Sequence, residues 1–115
     1  MAERHLTFAL ATGSRPGHQI VTLKGQLTLE TVKQFQDALR AGSAPVLILD
    51  MHGVDFLDSS GVGALVNLYV GCERKQRRLG VADPSVRVRA ALEVAGIHRV
   101  LSIFATVAAA EQQLA

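Results

Sequence analysis

The chain has 115 residues, which fits one domain and leaves no room for a second. Hydrophobic residues make up 49% and charged residues 19% of the sequence, a balance that argues against a disordered chain. The formal net charge of +2 is too small to indicate nucleic-acid binding, and no apolar run reaches the roughly 18 residues of a membrane span. With no signal-peptide pattern and a single cysteine, the sequence predicts a cytoplasmic protein.

The first third of the chain predicts a β-hairpin followed by a helix. Two alternating segments, 6–11 and 18–24, flank a turn cluster rich in Gly and Pro, which is typical of paired strands. Thr28 is then predicted as the N-cap of a helix that runs to about Arg40 and ends at Gly42.

The middle of the chain predicts a central strand and a long helix. A continuous apolar run at 46–51 follows Pro45 and suits a strand buried on both faces. The helix that starts after Asp58 has an apolar stripe, which predicts that Cys72 is a buried, unreactive thiol. The stripe consists of Val62, Leu65, Val66, Tyr69 and Cys72.

A basic run follows, comprising Arg74, Lys75, Arg77 and Arg78. It lies at the predicted end of the long helix, where cations offset the helix dipole. Because no aromatic residues are interleaved to stack on bases, we interpret it as a solvated helix terminus and not as a nucleic-acid surface.

The last third continues the alternation of strands and helices. A strand at 79–82 precedes a helix with Asp83 as the predicted N-cap and Pro84 at its first position. A strand at 100–104 and a helix at 106–114 close the chain. The pattern predicts a single α/β domain with a small mixed, mostly parallel β-sheet of about five strands, about four helices and right-handed crossovers.

The turn Asp58-Ser59-Ser60-Gly61 joins the central strand to the long helix. The carboxyl edge of an open α/β sheet usually holds its functional groups, and this turn places two hydroxyls and a carboxylate there. Spacing alone favours a capped helix, with Asp58 as N-cap and the two serines satisfying free N–H groups.

The wider sequence favours a functional role for this turn. Residues 46–65, VLILDMHGVDFLDSSGVGAL, resemble the signature of the STAS domain, and in particular that of bacterial anti-sigma factor antagonists. The resemblance extends to residues 84–97, PSVRVRAALEVAGI, and to Gly25-Gln26-Leu27, so it covers nearly the whole chain.

The resemblance implies a binding protein that is switched by phosphorylation. In this family the first serine after the aspartate, here Ser59, is phosphorylated by a partner that is both serine protein kinase and anti-sigma factor, and Ser60 is the alternative acceptor. The unphosphorylated form binds that partner and frees a sigma factor, and a serine phosphatase reverses the modification. The implied partner-binding residues are Asp58, Ser59, Ser60, Gly61 and Val62.

Thr28 departs from the family pattern. Many antagonists have an acidic residue at this position, after the Gly-x-Leu of the second strand. The departure leaves open a STAS scaffold or transporter-complex subunit that works without phosphorylation, and a third class, a nucleotide or small-ligand binder. The sequence also leaves monomer and homodimer open.

No enzyme, cofactor or metal site is predicted. The turn lacks the Gly-x-Ser-x-Gly of a nucleophile elbow, and no phosphate-binding glycine loop is present. The four histidines are too dispersed for a recognisable metal spacing, and His52, after the central strand, is predicted to be structural or solvent-facing.

Overall fold

A mixed five-stranded sheet occupies the centre of the structure, a computed structural model that describes residues 5–40 and 42–114. Its strands lie side by side in chain order: β1 Leu6–Thr12, β2 His18–Leu27, β3 Val46–Leu57, β4 Arg78–Ala82 and β5 Ser102–Phe104. The β1–β2 pair is the predicted antiparallel hairpin, and the other three pairs are parallel. The helices are α1 Val32–Arg40, α2 Ser59–Arg74, α3 Val86–Val94 and α4 Val107–Gln113, with a 3-10 turn at Ile97–Arg99. The predicted fold class is confirmed.

The two faces of the sheet hold separate apolar cores. Side chains alternate along β3, so Leu47 and Leu49 face the larger core while Val46 and Ile48 face the smaller one. The larger core packs against α1, α2 and α3, and the smaller one against α4. This explains the continuous apolar run in the sequence, because both faces of the strand are covered.

The central strand β3 is longer than the sequence predicts, since it continues six residues beyond Met51 to Leu57. Its pairing with β2 shifts register near Lys24 and again after Gly25, which has a φ of 117°. Bulges of this kind bend a strand and redirect its end. The extended strand delivers its last residue directly to the N-terminus of α2.

Two predicted helix caps are wrong. Thr28 is buried, and its Oγ1 finds no hydrogen-bond partner among the described residues, so it caps nothing with its side chain. The α1 helix starts later, at Val32, after a turn in which the Thr31 hydroxyl accepts from Thr28 N at 2.9 Å.

Asp83, the predicted cap of α3, has a φ of 52°, outside the geometry of an N-cap. The cap of α3 is Ser85, whose hydroxyl accepts from Val88 N and donates to Val54 O of β3 at 3.0 Å.

The basic run does not end α2 as predicted. The helix stops at Arg74, and Lys75 follows as its C-cap. Arg78 already belongs to β4. Arg74, Lys75 and Arg78 are exposed, but Arg77 is only 8% exposed and its Nε donates to Ala44 O at 2.7 Å. The interpretation as a solvated terminus is therefore wrong for Arg77, which is part of the buried structure.

A buried carboxylate ties α4 to the β-hairpin. Glu111 accepts hydrogen bonds from Ser14 N at 2.7 Å and Ser14 Oγ at 3.0 Å, and its Oε1 lies 3.3 Å from His18 Nδ1. Burial alone would raise the pKa of Glu111. The hydrogen bonds from Ser14 and the nearby imidazole outweigh it and lower the pKa below its ordinary value.

Replacement of Glu111 by glutamine is expected to destabilise the fold by about 1–2 kcal/mol at pH 7, because hydrogen bonds to the charged group are lost. A carboxyl whose folded-state pKa is lowered stabilises the fold above its unfolded value of 4.5, and this stabilisation disappears as pH falls through the folded-state pKa. Urea unfolding should therefore show a difference between wild type and Glu111→Gln that shrinks below about pH 4. Glu93→Gln, at an exposed position, is the control. A gap of equal size at pH 7 and pH 3 would contradict this assignment.

Candidate functional site

The Asp58 carboxylate fixes the start of α2 and the preceding loop at once. Its Oδ1 accepts from Gly61 N at 2.9 Å, the side-chain bond of an N-cap, while its backbone carbonyl accepts from Val62 N at 2.9 Å. Its Oδ2 accepts from Leu29 N at 3.1 Å, in the loop between β2 and α1. The predicted cap at Asp58 is confirmed, and one side chain joins two segments 29 residues apart in sequence.

Gly61 lies beneath the turn, where α2 packs against the end of β2. A side chain on Gly61 would overlap the Leu27 carbonyl oxygen and would lie 2.7 Å from Leu57 Cδ1. Gly61 is buried, so it shapes the turn from below and offers little surface to a partner. The next glycine, Gly63, is exposed, and nothing lies within 4 Å of the position that its Cβ would take.

The two serines of the turn differ in exposure. Ser59, the first residue of α2, is exposed, whereas Ser60 is half-buried. Neither hydroxyl makes a hydrogen bond within the part of the chain that the structure describes. The predicted role of the two serine hydroxyls in satisfying helix N–H groups is wrong, because neither accepts from one, and the Asp58 side chain accepts from Gly61 N.

A shallow groove of about 370 Å³ opens beside Ser59, between the start of α2 and the outer face of α3. Its walls are almost wholly apolar, and Asp58 is the one charged residue among them. Val94 is 91% exposed on the α3 side, and Leu29, held next to Asp58, is 72% exposed. The lining consists of Leu57, Asp58, Ser59, Val62, Ala90, Ala91, Val94 and Ala95. An apolar rim around an exposed hydroxyl is suited to contact with another protein.

The titratable group that lines the groove beside Ser59 is the Asp58 carboxylate, whose two oxygens already accept from Gly61 N and Leu29 N. None of its lining residues is a histidine, lysine or arginine. A serine nucleophile needs an adjacent base within hydrogen-bond reach, and Ser59 makes no such bond to the described residues. The arrangement leaves the Ser59 hydroxyl exposed at the rim of the groove.

The family pattern places an acidic residue at the position where this chain has Thr28. Thr28 is fully buried, whereas Ser59 is exposed, so the two side chains do not share a surface. The exposed carboxylate of this loop belongs to Glu30, two residues later. The loop therefore has an exposed acidic residue two positions after the expected one.

A polar cluster that the sequence did not predict lies at the end of β4. The nearest ligand-type atoms of Asp50, His52 and Asp83 are all within 4.8 Å of one another. Asp50 Oδ1 lies 2.8 Å from His52 Nδ1, and this hydrogen bond and the aspartate charge raise the pKa of His52. His52 is solvent-facing, as predicted. The Asp50–His52 pair accounts for the closest approach in the cluster.

Cys72 is the buried thiol that the stripe predicts. It is 2% exposed, and burial raises its pKa, so the thiol stays protonated and unreactive at neutral pH. Of the other stripe residues, Leu65 is fully buried, while Val62, Val66 and Tyr69 are half-buried. The stripe therefore faces the core, with Val62 and Tyr69 at its partly exposed margin.

The contribution of α3 and Leu29 to this surface was not predicted from the sequence. Val86, Ala90 and Val94 recur at the i, i+4, i+8 spacing of one helix face, and all three are exposed. That spacing was available in the sequence, next to the buried pair Val88 and Leu92 on another face. What the sequence did not show is that this face lies beside Ser59.

Comparison with known proteins places these features in a family. The family model of the STAS domain matches residues 9–110. An anti-sigma F factor antagonist from Paenibacillus polymyxa is 27% identical over 92 residues, which are 76% of this chain and 79% of that protein.

Solved structures share the fold. An anti-sigma factor antagonist from Mycobacterium paratuberculosis superposes with a TM-score of 0.81 at 23% identity, covering 95% of this chain and 93% of that one. A sulfate transporter family protein from Wolinella succinogenes gives a TM-score of 0.76 at 23% identity, covering 85% and 88% of the two chains. Within residues 5–40 and 42–114, no helix is long and apolar enough to cross a membrane.

Proposed function

This chain belongs to the STAS domain family, and on that premise we propose that it is an anti-sigma factor antagonist regulated by phosphorylation of Ser59. Its unphosphorylated form binds an anti-sigma factor that is also a serine kinase, and so frees a sigma factor in the cytoplasm. A serine phosphatase restores the binding form. The antagonist from Paenibacillus polymyxa, which aligns with 76% of this chain, supports the assignment.

One observation carries the proposal: an exposed serine stands at the rim of an apolar groove, on a turn whose geometry other residues maintain. Asp58 caps the helix by accepting from Gly61 N, and Gly61 packs the helix against β2. Ser59 contributes neither of these, so its hydroxyl is available to a kinase without any opening of the fold. Catalysis takes place on the partner, and this chain acts by binding.

The docking face is defined here as Leu29, Ser59, Val62, Gly63, Ala90 and Val94. Its apolar members provide contact area that the isolated chain leaves in water, and association with a partner would remove that area from water. Gly63 lies one helical turn beyond Ser59 with open space around it, so a partner surface can approach the α2 backbone closely. Asp58 is the only charged residue among the described residues that line the groove.

Phosphate on Ser59 would block docking without unfolding the domain. It adds about −1.5 to −2 charges at neutral pH, and the N-terminus of a helix favours negative charge. No arginine or lysine lines the groove, so the phosphate has no cation there with which to pair. An unpaired dianion resists removal from water, and it would oppose any apolar partner surface that covers the groove.

A phosphorylation assay with site variants tests the proposal. Incubation with the cognate kinase and ATP, followed by phosphosite mass spectrometry, is expected to place one phosphate on Ser59 in wild type and in Ser60→Ala. Ser59→Ala should accept none. Equal incorporation in Ser59→Ala, or transfer to Ser60 in the wild-type chain, would overturn the assignment of the acceptor.

The second candidate function is that of a transporter-associated or scaffold subunit. The structural similarity to the sulfate transporter family protein of Wolinella succinogenes favours it. In that case the chain would co-purify from its native cells in a stable complex that Ser59→Ala and Ser59→Asp leave unchanged. Loss of the Ser59→Asp chain from the complex, with retention of Ser59→Ala, supports the antagonist.

A further inference from the structure

Three side chains that can bind a metal ion come together from two neighbouring strands. Asp50 and His52 are two residues apart on β3, and Asp50 Oδ1 lies 2.8 Å from His52 Nδ1. Asp83 follows the last residue of β4. A carboxylate oxygen of Asp83 comes within 4.8 Å of ligand atoms of both other residues. The cluster therefore joins β3 to the segment that leads into α3.

The backbone conformation of Asp83 brings the third side chain to this pair. Ala82, which is opposite Asp50 across the β3–β4 pair, belongs to the smaller core. In an extended strand the next side chain would point to the other face of the sheet. A φ of 52° at Asp83 ends the strand instead, and the bond from Asp83 N to Phe104 O at 2.9 Å anchors its backbone. A ligand on anchored backbone needs little ordering when an ion binds.

Ordinary ion pairing accounts for only two of the three side chains. The Asp50–His52 contact is an ion pair whose side chains are 15% and 52% exposed. Asp83 lies beyond ion-pair distance of His52, and no lysine or arginine among the described residues is within that distance of either carboxylate. Lys24 on β2 acts electrostatically on His52 but pairs with neither aspartate. Two carboxylates thus share one imidazole, and a cation would offset the excess negative charge.

The donor set is that of a first-row transition-metal ion. One imidazole nitrogen and two carboxylate oxygens suit Zn²⁺, whereas Ca²⁺ and Mg²⁺ prefer oxygen ligands alone. Bonds of about 2.0–2.2 Å to Zn²⁺ place tetrahedral ligand atoms about 3.4 Å apart. The separations in the cluster, which run from 2.8 Å to no more than 4.8 Å, bracket that value. Small rotations of the exposed His52 and Asp83 side chains would close the remaining gap.

We propose that Asp50, His52 and Asp83 form a binding site for a divalent transition-metal ion, with Zn²⁺ as the ion that fits best and solvent as the remaining ligand. The bound ion joins β3 to the start of the α3 segment. It stabilises the folded chain, because the unfolded chain does not hold the three ligands together. The site shares no residue with the docking face, so ion binding does not depend on Ser59.

Titration of the untagged, metal-free chain with zinc chloride tests the site. Isothermal titration at about pH 7.5 is expected to show one ion per chain with a Kd of about 10 µM. Mg²⁺ and Ca²⁺ should bind at least about a hundredfold more weakly, since one ligand is an imidazole. Free Zn²⁺ at about ten times the Kd should raise the Tm by about 5 °C.

Variants that remove one ligand locate the ion. His52→Ala and Asp83→Asn change exposed residues, and each should weaken Zn²⁺ binding at least about tenfold. In the absence of metal both should keep a Tm close to that of wild type, because exposed ion pairs contribute little to stability. His98→Ala and Asp55→Asn remove the same kinds of side chain outside the cluster, and should bind Zn²⁺ with wild-type affinity.

The outcomes separate this site from binding elsewhere on the chain. The proposal is overturned if Zn²⁺ binds no tighter than about 1 mM, if His52→Ala and Asp83→Asn bind it as tightly as wild type, or if His98→Ala loses it. A loss confined to His52→Ala and Asp83→Asn supports the site. Ser59→Asp should bind Zn²⁺ normally, so failure of this proposal would leave the proposed function untouched.

Discussion

Replacement of Ser59 by aspartate is expected to weaken binding to the proposed anti-sigma factor by about a hundredfold or more, while leaving the fold intact. The new carboxylate would be covered by an apolar partner surface in a groove with no cation, and an unpaired charge desolvated in this way costs about 3 kcal/mol. A loss of that size corresponds to about two orders of magnitude in Kd.

The stability of the same variant should change in the opposite direction. Position 59 is the first residue of α2, where a negative charge interacts favourably with the helix dipole by about 0.3–1 kcal/mol. The aspartate breaks no existing hydrogen bond, because the Ser59 hydroxyl makes none to the described residues. Chemical denaturation should therefore show Ser59→Asp to be as stable as wild type or slightly more stable.

Two variants serve as controls for the binding measurement. Ser59→Ala removes the hydroxyl without adding charge and should bind like the unphosphorylated wild type. Gln112→Glu adds the same charge on α4, against the opposite face of the sheet, and should also bind normally. If Ser59→Asp binds the partner within threefold of wild type, the groove is not the docking surface.

The second large effect is expected from Gly61→Ala, which should destabilise the domain by about 3 kcal/mol and lower its Tm by roughly 10–15 °C. The added methyl group would overlap the Leu27 carbonyl oxygen and press on Leu57 Cδ1, so α2 would have to move away from β2. Backbone atoms on the β2 side cannot yield as the end of a flexible side chain can. The Asp58 bond to Gly61 N should lengthen as the helix moves.

Gly63→Ala is the matched control, two residues along the same helix. Its methyl group meets nothing within 4 Å, and alanine has the higher helix propensity, so this variant should be neutral or up to about 1 kcal/mol more stable. Thermal unfolding of both proteins measures the contrast directly. Equal Tm values for the two variants would show that Gly61 is not required for the packing of α2 on β2.

The order and type of the elements could be predicted from the sequence because each has a strong local signal. The apolar run at 46–51 indicated a strand covered on both faces, and the two cores of the structure confirm it. Thr106 caps α4 by accepting from Ala109 N, at the residue where the predicted helix begins. Asp58 was predicted as a cap and is one.

The errors arise where a tertiary contact decides between two local options. Asp83-Pro84 has the pattern of a helix start, yet Ser85 caps α3, and its hydroxyl also bonds to Val54 O on the neighbouring strand. Arg77 lies among other basic residues in the sequence, and only the position of the Ala44 carbonyl explains why it alone is buried. Neither contact leaves a trace in local periodicity.

The turn at the centre of the candidate site could be predicted from the sequence, but the residues around it could not. The turn at Asp58 and Ser59 was identified from the strand-to-helix setting and the family resemblance. Val94 lies 35 positions further along the chain, so its proximity to Ser59 depends on how α3 packs. The sequence also could not distinguish the structural roles of Gly61 and Gly63. Both are glycines in one helix, and only the folded structure shows that Gly61 alone faces β2.

Because different residues of the turn maintain the fold and carry the exposed hydroxyl, substitutions at these positions are expected to be constrained differently during evolution. Asp58 and Gly61 maintain the fold, whereas Ser59 makes no hydrogen bond to the described residues. A lineage that lost its kinase could change residue 59 at almost no cost in stability, while residues 58 and 61 would stay under folding constraint. Under the proposed function, the residue at this position in related chains would report whether regulation is retained, and its neighbours would report only that the domain still folds.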